Sequence, residues 1–235
     1  MFEFLKKDFG LVSVIIPCWN YGRYLKEAID SCLDQSYKNK EIIVVNDAST
    51  DSTKEICKGY NNKIIYLENK KNRGVAFSRN KAIRASKGEF LAMLDADDIM
   101  LPKRIAWCLK EFEKDPSLGL VYGDAEIIDI KGKKIMDSPS PEFNQKELFK
   151  RNFIKTSSVM IRRECVEKVG LFDEKLHGPE DYDLWIRIVK KFKAKRIPKI
   201  IYKMRYHPDS LCWTSERNGS MQKQLEYIKW KHGLK

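Results

Sequence analysis

Residues 90–102, FLAMLDADDIMLP, place three carboxylates, Asp95, Asp97 and Asp98, within four positions, with apolar runs on either side. The first run reads as a buried strand, so the acids stand at its carboxyl end, where open α/β sheets place their ligands. An ionised carboxylate beside a core costs free energy on the order of several kcal/mol unless a counter-charge or hydrogen bonds compensate it. Compensation from elsewhere in the chain, or from a ligand, is therefore expected.

Working back from this stretch, short β-rich runs alternate with helical patterns, the signature of βαβ units. LVSVIIP (11–17), EIIVVND (41–47) and KIIYLEN (63–69) read as strands. Between them, Leu25, Ala28, Ile29, Cys32 and Leu33 repeat at i, i+3, i+4, i+7 and i+8, which gives a helix one buried face. ASTDSTKEICKGY (48–60) begins with capping residues and turns into a second helix, and a third is expected around Ala76–Ser86, closed by Gly88 as its C′ residue. Working forward, Pro102 suits the first turn of a helix burying Ile105, Cys108, Leu109 and Phe112.

From about residue 118 the pattern turns α+β: strand-like LGLVYGDAEIIDI and KKIMD, a Pro-rich loop at 138–143, a short helix near 144–152, and a strand in TSSVMIRR. PEDYDLWIRIVKKF then reads as a helix burying Leu184, Trp185, Ile188 and Phe192. The expected fold class is α/β, a mostly parallel central sheet flanked by helices. Residues 1–213 form the domain, with a half at about 11–117, an α+β half at about 118–213, and a basic helical C-terminal arm at 214–235.

The chain has 235 residues, 43% of them hydrophobic, enough for a large core and too many for global disorder. Lys and Arg number 45 against 33 Asp and Glu, a net charge of +12, which attracts anionic partners such as nucleotide phosphates or lipid head groups. A nucleic-acid module predicts basic and aromatic residues interleaved on one face rather than acids at strand ends, so no nucleic-acid partner is expected. The six cysteines form no CxxC pair and read as buried hydrophobes in a reducing compartment. The first residues fit neither a signal nor a transit peptide, and no run reaches the ~18 apolar residues of a membrane span. The expected location is cytoplasmic, with peripheral attachment to the inner face of a membrane through the basic arm.

A divalent ion answers the crowding in DADD, because Mg²⁺ and Mn²⁺ take one or two carboxylates and complete their shell with phosphate oxygens and water. Two other motifs fit less well. An EF-hand loop needs glycine where Met100 stands and glutamate where Ala106 stands, and a D-x-D-x-T nucleophile needs threonine or valine at Ile99. A second acidic site ends the second strand: Asp47, in a strand-to-helix turn, is placed to accept hydrogen bonds from a base or ribose. Trp19 and Tyr21, after the first strand, can cover a planar ring. Arg79 is placed to face a nucleobase or phosphate. No G-x-G-x-x-G is present, so a dinucleotide cradle is not expected.

In order and spacing, VSVIIPCWNYGRYLKEAIDSCLDQSY, EIIVVNDASTDST, NRGVAFSRN, FLAMLDADDIMLP, GPEDYDLWIR and RYHPDSL resemble the inverting family-2 glycosyltransferases of the GT-A, Rossmann-like fold. The resemblance spans almost the whole chain. It implies transfer of a sugar from a nucleoside diphosphate donor, by preference a UDP-sugar, to a hydroxyl of a glycan or lipid-linked acceptor. It implies nucleotide contacts from Pro17, Trp19, Asn20, Tyr21, Asp47, Arg79, Asp95 and Ala96, and Mn²⁺ or Mg²⁺ held by Asp97 and His207. Asp181 of the Glu180–Asp181 pair is then the general base, since an attacking alcohol must lose its proton as the bond forms. Repulsion from Glu180 is expected to keep Asp181's proton affinity from falling. Asp183 is assigned to the helix's first turn, Asp98 is the most expendable acid of its turn, and Arg205 is an assistant at the phosphates. Trp107, Trp185, Trp213 and the 138–143 loop are candidates for the acceptor side. Asn46, where the family often has a second Asp, is a departure. A sugar nucleotidyltransferase is the alternative, but it calls for a Gly-rich loop where PCWNYGRY has one glycine.

Overall fold

The structure, a computed structural model, describes residues 9–207 and 220–234. Trp213, Cys212 and the expected 213/214 boundary lie outside the described residues. The first half runs β1 (Val12–Cys18), α1 (Gly22–Leu33), β2 (Lys40–Asn46), α2 (Thr53–Lys58), β3 (Ile65–Glu68), α3 (Val75–Ala85) and β4 (Phe90–Met93). After the two-residue β5 (Ile99–Met100) come α4 (Arg104–Lys114), β6 (Leu118–Ile128), β7 (Lys134–Ser138), α5 (Gln145–Lys150), β8 (Met160–Arg162) and α6 (Arg163–Val169). The chain continues with α7 (Glu180–Val189), β9 (Lys193–Arg205) and α8 (Ser220–His232).

Among the described residues the strands form one sheet in the order β3-β2-β1-β4-β8-β6-β9-β5, with β7 on β6. Strands β1 to β4 pair in parallel, so their carboxyl ends open on one edge. Antiparallel β8 joins β4 to β6 and so fuses the α+β half to the parallel half. Alternation along each strand divides the core. Val12, Val14, Ile16, Ile42 and Val44 pack with α1 and α4 on one face, while Ile15, Ile43 and Val45 meet α3, α6 and α7 on the other. The expected apolar faces of α1 and α4 are buried.

Gly88 is not a helix C′ residue. Helix α3 ends at Ser86 in an extended conformation, and Gly88 instead lies against β1, where a Cβ would come within 2.5 Å of Ser13 Oγ and 2.7 Å of Leu11 O. Strand β9, which the sequence pattern does not single out, is the longest of the described strands. Its lysines and Pro198 read against a strand, and the fold accommodates the proline at a register shift, where Gly123 faces Ile197 and Asp124 faces Ile200. Helix α8 is no loose arm, because Ile228 is fully buried in the second core, with Leu225 and Leu234 packed beside it. No described helix is long and apolar enough to cross a membrane.

Candidate active site

The loops after β1 and β2 are stitched together at the sheet's open edge. Asn20 accepts from Thr50 N at 2.8 Å, its own N–H donates to Ser49 Oγ at 2.9 Å, and Asp51 Oδ2 accepts from Gly22 N at 2.8 Å. Asn20 and Ala48 both have φ of 59°, a conformation that costs a β-carbon residue about 1 kcal/mol and is held here by these bonds. Asn46 uses both ends of its amide, accepting from Ser49 N and donating to Tyr66 Oη. That double role gives the departure from Asp a structural reason.

Asp47 is buried and held by three donors: Asn69 Nδ2 at 2.7 Å, Arg73 N at 2.9 Å and Gly74 N at 2.8 Å. It therefore orders the loop before α3. Ala48, Ser49, Glu68, Asn69 and Lys70 beside it line an open concavity of about 340 Å³. A second, of about 470 Å³, is lined by Trp19, Asn20, Tyr21, Arg23, Asp51 and Ser52, with Trp19 half exposed. Pro17 lies within β1 and Ala96 is buried at the DADD turn.

The charges of DADD are compensated first by the protein. Arg79, buried on α3, donates through one nitrogen to Asp95 Oδ1 at 2.7 Å and through another to Glu180 Oε1 at 2.6 Å. Its guanidinium thus joins the two acidic motifs instead of facing a nucleobase, and the paired carboxylates hold it charged. Asp98 is buried, accepts from Arg205 N at 3.0 Å, and is pushed well above the usual carboxylate range by burial and then by Asp97 and Asp95. Far from expendable, it pins the end of β9 to the turn. Arg205 is also structural, donating to the Asp97, Asp129 and Ile130 carbonyls and pairing with Glu27 at 2.6 Å rather than pointing at phosphates. Beneath the turn lies a third buried arginine, Arg104, which donates to the Met93 and Val159 carbonyls and leaves Nε and Nη1 without a hydrogen-bond partner among the described residues. Burial pulls down its proton affinity.

His207 Nε2 lies 2.9 Å from Asp97 Oδ2. The ring is buried, packed edge-on to Tyr21 and tilted against Tyr24, and its Nδ1 has no partner among the described residues. No three metal-ligating side chains converge among the described residues. The pair nevertheless fits a divalent ion: neighbouring ligands of an octahedral ion with bonds near 2.1 Å are about 3.0 Å apart, and such ions take few protein ligands when phosphate supplies the rest. Asp95, about a third exposed and bound to Arg79 through Oδ1, has a second oxygen at the same turn.

Glu180 and Asp181 begin α7. Glu180 is buried, with Oε2 accepting from Gly178 N at 2.9 Å. Burial pushes its carboxyl up to about 7, with Arg79 opposing and Asp181 adding to the rise. Asp181 accepts from Thr156 Oγ1 at 2.6 Å, Tyr182 N at 2.6 Å and Asn152 Nδ2 at 3.2 Å. Its proton affinity is also raised, by burial above all, with Asp95 adding repulsion, so burial supplies most of the effect expected from Glu180. Asp183 is fully buried and paired with Arg187, Lys231 and His232, which places it in structure rather than chemistry. Trp185 is core and offers no acceptor surface, while Trp107 is half-buried and packs against core.

The structure thus brings Asp95, Asp97, His207, Arg79, Glu180 and Asp181 to one place, with Asp47 and Trp19–Tyr21 along the adjoining edge. The pattern overlooked the 3₁₀ turn Thr156–Ser158, where Thr156 holds Asp181 and Ser157 Oγ accepts from Asp95 N at 2.9 Å. Hydroxyls in TSS, just before a strand, were its only signal.

The model of a family described as Glycosyl transferase family 2 matches residues 13–170. Chondroitin synthase of Pasteurella multocida is 33% identical over 221 residues, covering 93% of this chain and 22% of that one. The chain spans between 22% and 71% of the length of such curated relatives. Among solved structures, S. aureus TarS 1–349 in complex with UDP-GlcNAc superposes with a TM-score of 0.68 at 20% identity, over 86% of this chain and 60% of that one. The mannosyltransferase PcManGT of Pyrobaculum calidifontis, in complex with GDP-Man and Mn²⁺, gives 0.69 at 21%, over 89% and 61%. The fold is that of the GT-A glycosyltransferases.

Proposed function

Because the chain belongs to glycosyl transferase family 2, we propose that it transfers a sugar from a nucleoside diphosphate donor to an acceptor hydroxyl in a single inverting displacement. The observation that carries this reading is the Arg79 bridge, which ties Asp95 of the donor-side turn to Glu180 beside Asp181. Donor acids and base are thereby set in one frame, as a direct displacement requires. Asp181 takes the acceptor's proton, the acceptor oxygen attacks the anomeric carbon, and the bond to the diphosphate breaks with its electron pair leaving on the nucleotide.

Asp97 and His207 hold Mn²⁺ or Mg²⁺, with Asp95 adjoining. Such an ion, when bound, neutralises charge developing on the departing diphosphate without proton transfer. The concavity beside Asp47 takes the base, with Pro17, Trp19, Asn20, Tyr21 and Ala96 framing the nucleotide. A UDP-sugar is the preferred donor, in keeping with the ligand of TarS, while PcManGT's GDP-Man keeps guanine donors in the test. A glycan or lipid-linked alcohol is the acceptor, a choice supported by the likeness to chondroitin synthase. Exposed Tyr227 and Trp230 on the basic helix α8 favour a cytoplasmic protein resting on an anionic membrane surface.

A panel of UDP- and GDP-sugars with Mn²⁺ or Mg²⁺, read by nucleoside diphosphate release with and without simple acceptors, tests the proposal. Metal-dependent release from at least one donor is expected. No release from any donor would overturn it.

A further inference from the structure

We infer that helix α8 positions the catalytic pair, by clamping the irregular segment that leads into α7. This segment, residues 170–179, joins α6 to α7 through Gly170 and Gly178, both at positive φ; Asn80 and Arg187 anchor its first residues and one turn, Leu176 N to Asp173 O, orders its middle, while its end before α7 meets α8. Helix α8 grips the segment at two points and holds the first turn of α7 at a third. Gln224 forms a two-way bond with the His177 backbone, accepting from N at 2.5 Å and donating to O at 2.9 Å. Lys231 Nζ lies 2.8 Å from both Asp173 Oδ2 and Asp183 Oδ1, and His232 Nε2 lies 2.9 Å from the same Asp183 oxygen.

Gln224, Ile228, Lys231 and His232 are spaced i, i+4, i+7 and i+8, which puts the polar grips and the buried isoleucine on one face of the helix. The clamp reaches the chemistry directly. Next to the gripped His177, Gly178 N donates to Glu180, which meets Arg79, which meets Asp95. Asp183, two residues beyond Asp181, is fully buried, so its hold on Lys231 and His232 is little weakened by water. The family match ends at residue 170, so all but the first residue of the clamped segment, and the helix that holds it, lie beyond it.

The consequence for turnover rests on the reading of Asp181 as base; the effect on local order does not. In the full chain, Gln224→Leu and the double variant Gln224→Leu/Lys231→Met remove grips, Lys231→Arg keeps the charge, and Ile228→Val thins the packing while leaving every grip in place. Hydrogen exchange of the amides at 178–183 should quicken about tenfold or more in the grip variants and stay near wild type in Ile228→Val, even where its melting temperature falls. With the donor found in the panel, kcat should drop about tenfold or more in the double variant while the donor KM holds, and Lys231→Arg should keep it near wild type. Unchanged exchange at 178–183, or a kcat that merely follows melting temperature across all four variants, would overturn the inference. If no donor turns over, the enzymatic reading fails, and the exchange data still decide whether the clamp exists.

Discussion

At the scale of single residues, the site is a set of carboxylates held in different states by their surroundings. Asp181 is half-buried and triply hydrogen-bonded, so Asp181→Asn should preserve shape and donor affinity yet cut turnover by roughly 10²-fold or more, as steady-state kinetics beside nucleotide titration would show. Asp97→Ala should abolish the Mn²⁺-dependent part of nucleotide binding, and unchanged UDP affinity in Mn²⁺ by calorimetry would remove Asp97 from the metal site. Glu180 yields a prediction about stability. Its carboxyl is pushed up from the ordinary glutamate range to about 7, so the stabilisation this shift contributes is complete below that range and is lost as pH rises through about 7. The stability of wild type relative to Glu180→Gln should therefore decline between about pH 4.5 and 7, as denaturant titrations at several pH values would reveal.

At the scale of elements, the decisive contacts are close approaches. Gly88 lets the turn before β4 lie on β1, accepted by Ser13 Oγ at 2.8 Å. Gly88→Ala should cost about 1–3 kcal/mol by forcing two backbones apart, measurable as a lower urea midpoint with an unchanged slope. Strand β9 shows why some elements stay hidden from periodicity. Its lysines pair with acids on neighbouring elements, Lys195 with Glu111 and Lys203 with Glu126, and its proline sits at a bulge. Each feature reads as a loop until the partner strand is known. The apolar faces of α1 and α4, and Leu184, Trp185 and Ile188 of α7, were legible because burial there depends on spacing within a single helix, whereas Phe192 lies past the end of α7 and is only half-buried.

At the scale of the whole molecule, the chain carries a net charge of +12 although its candidate site is rich in acids. The excess charge would draw the proposed anionic donor toward the protein, so raising ionic strength from about 0.05 to 0.5 M should increase the donor KM several-fold while leaving kcat at saturation nearly constant. Loss of both parameters together would point to damage at the site instead.

What the residues determined unaided was the parallel half of the sheet, the placing of acids at strand ends, and the family. Hydrophobic period and motif order are local properties that survive without a fold. Tertiary structure alone decided how those acids are used. Only folding buries Arg79 between Asp95 and Glu180, turns Arg205 inward, makes Asp98 a structural pin and brings α8 onto the segment before α7. The physical reason is common to all four. A charge's role depends on which opposite charges and dipoles share its burial, and those partners come from positions as far as 178 residues away in the chain.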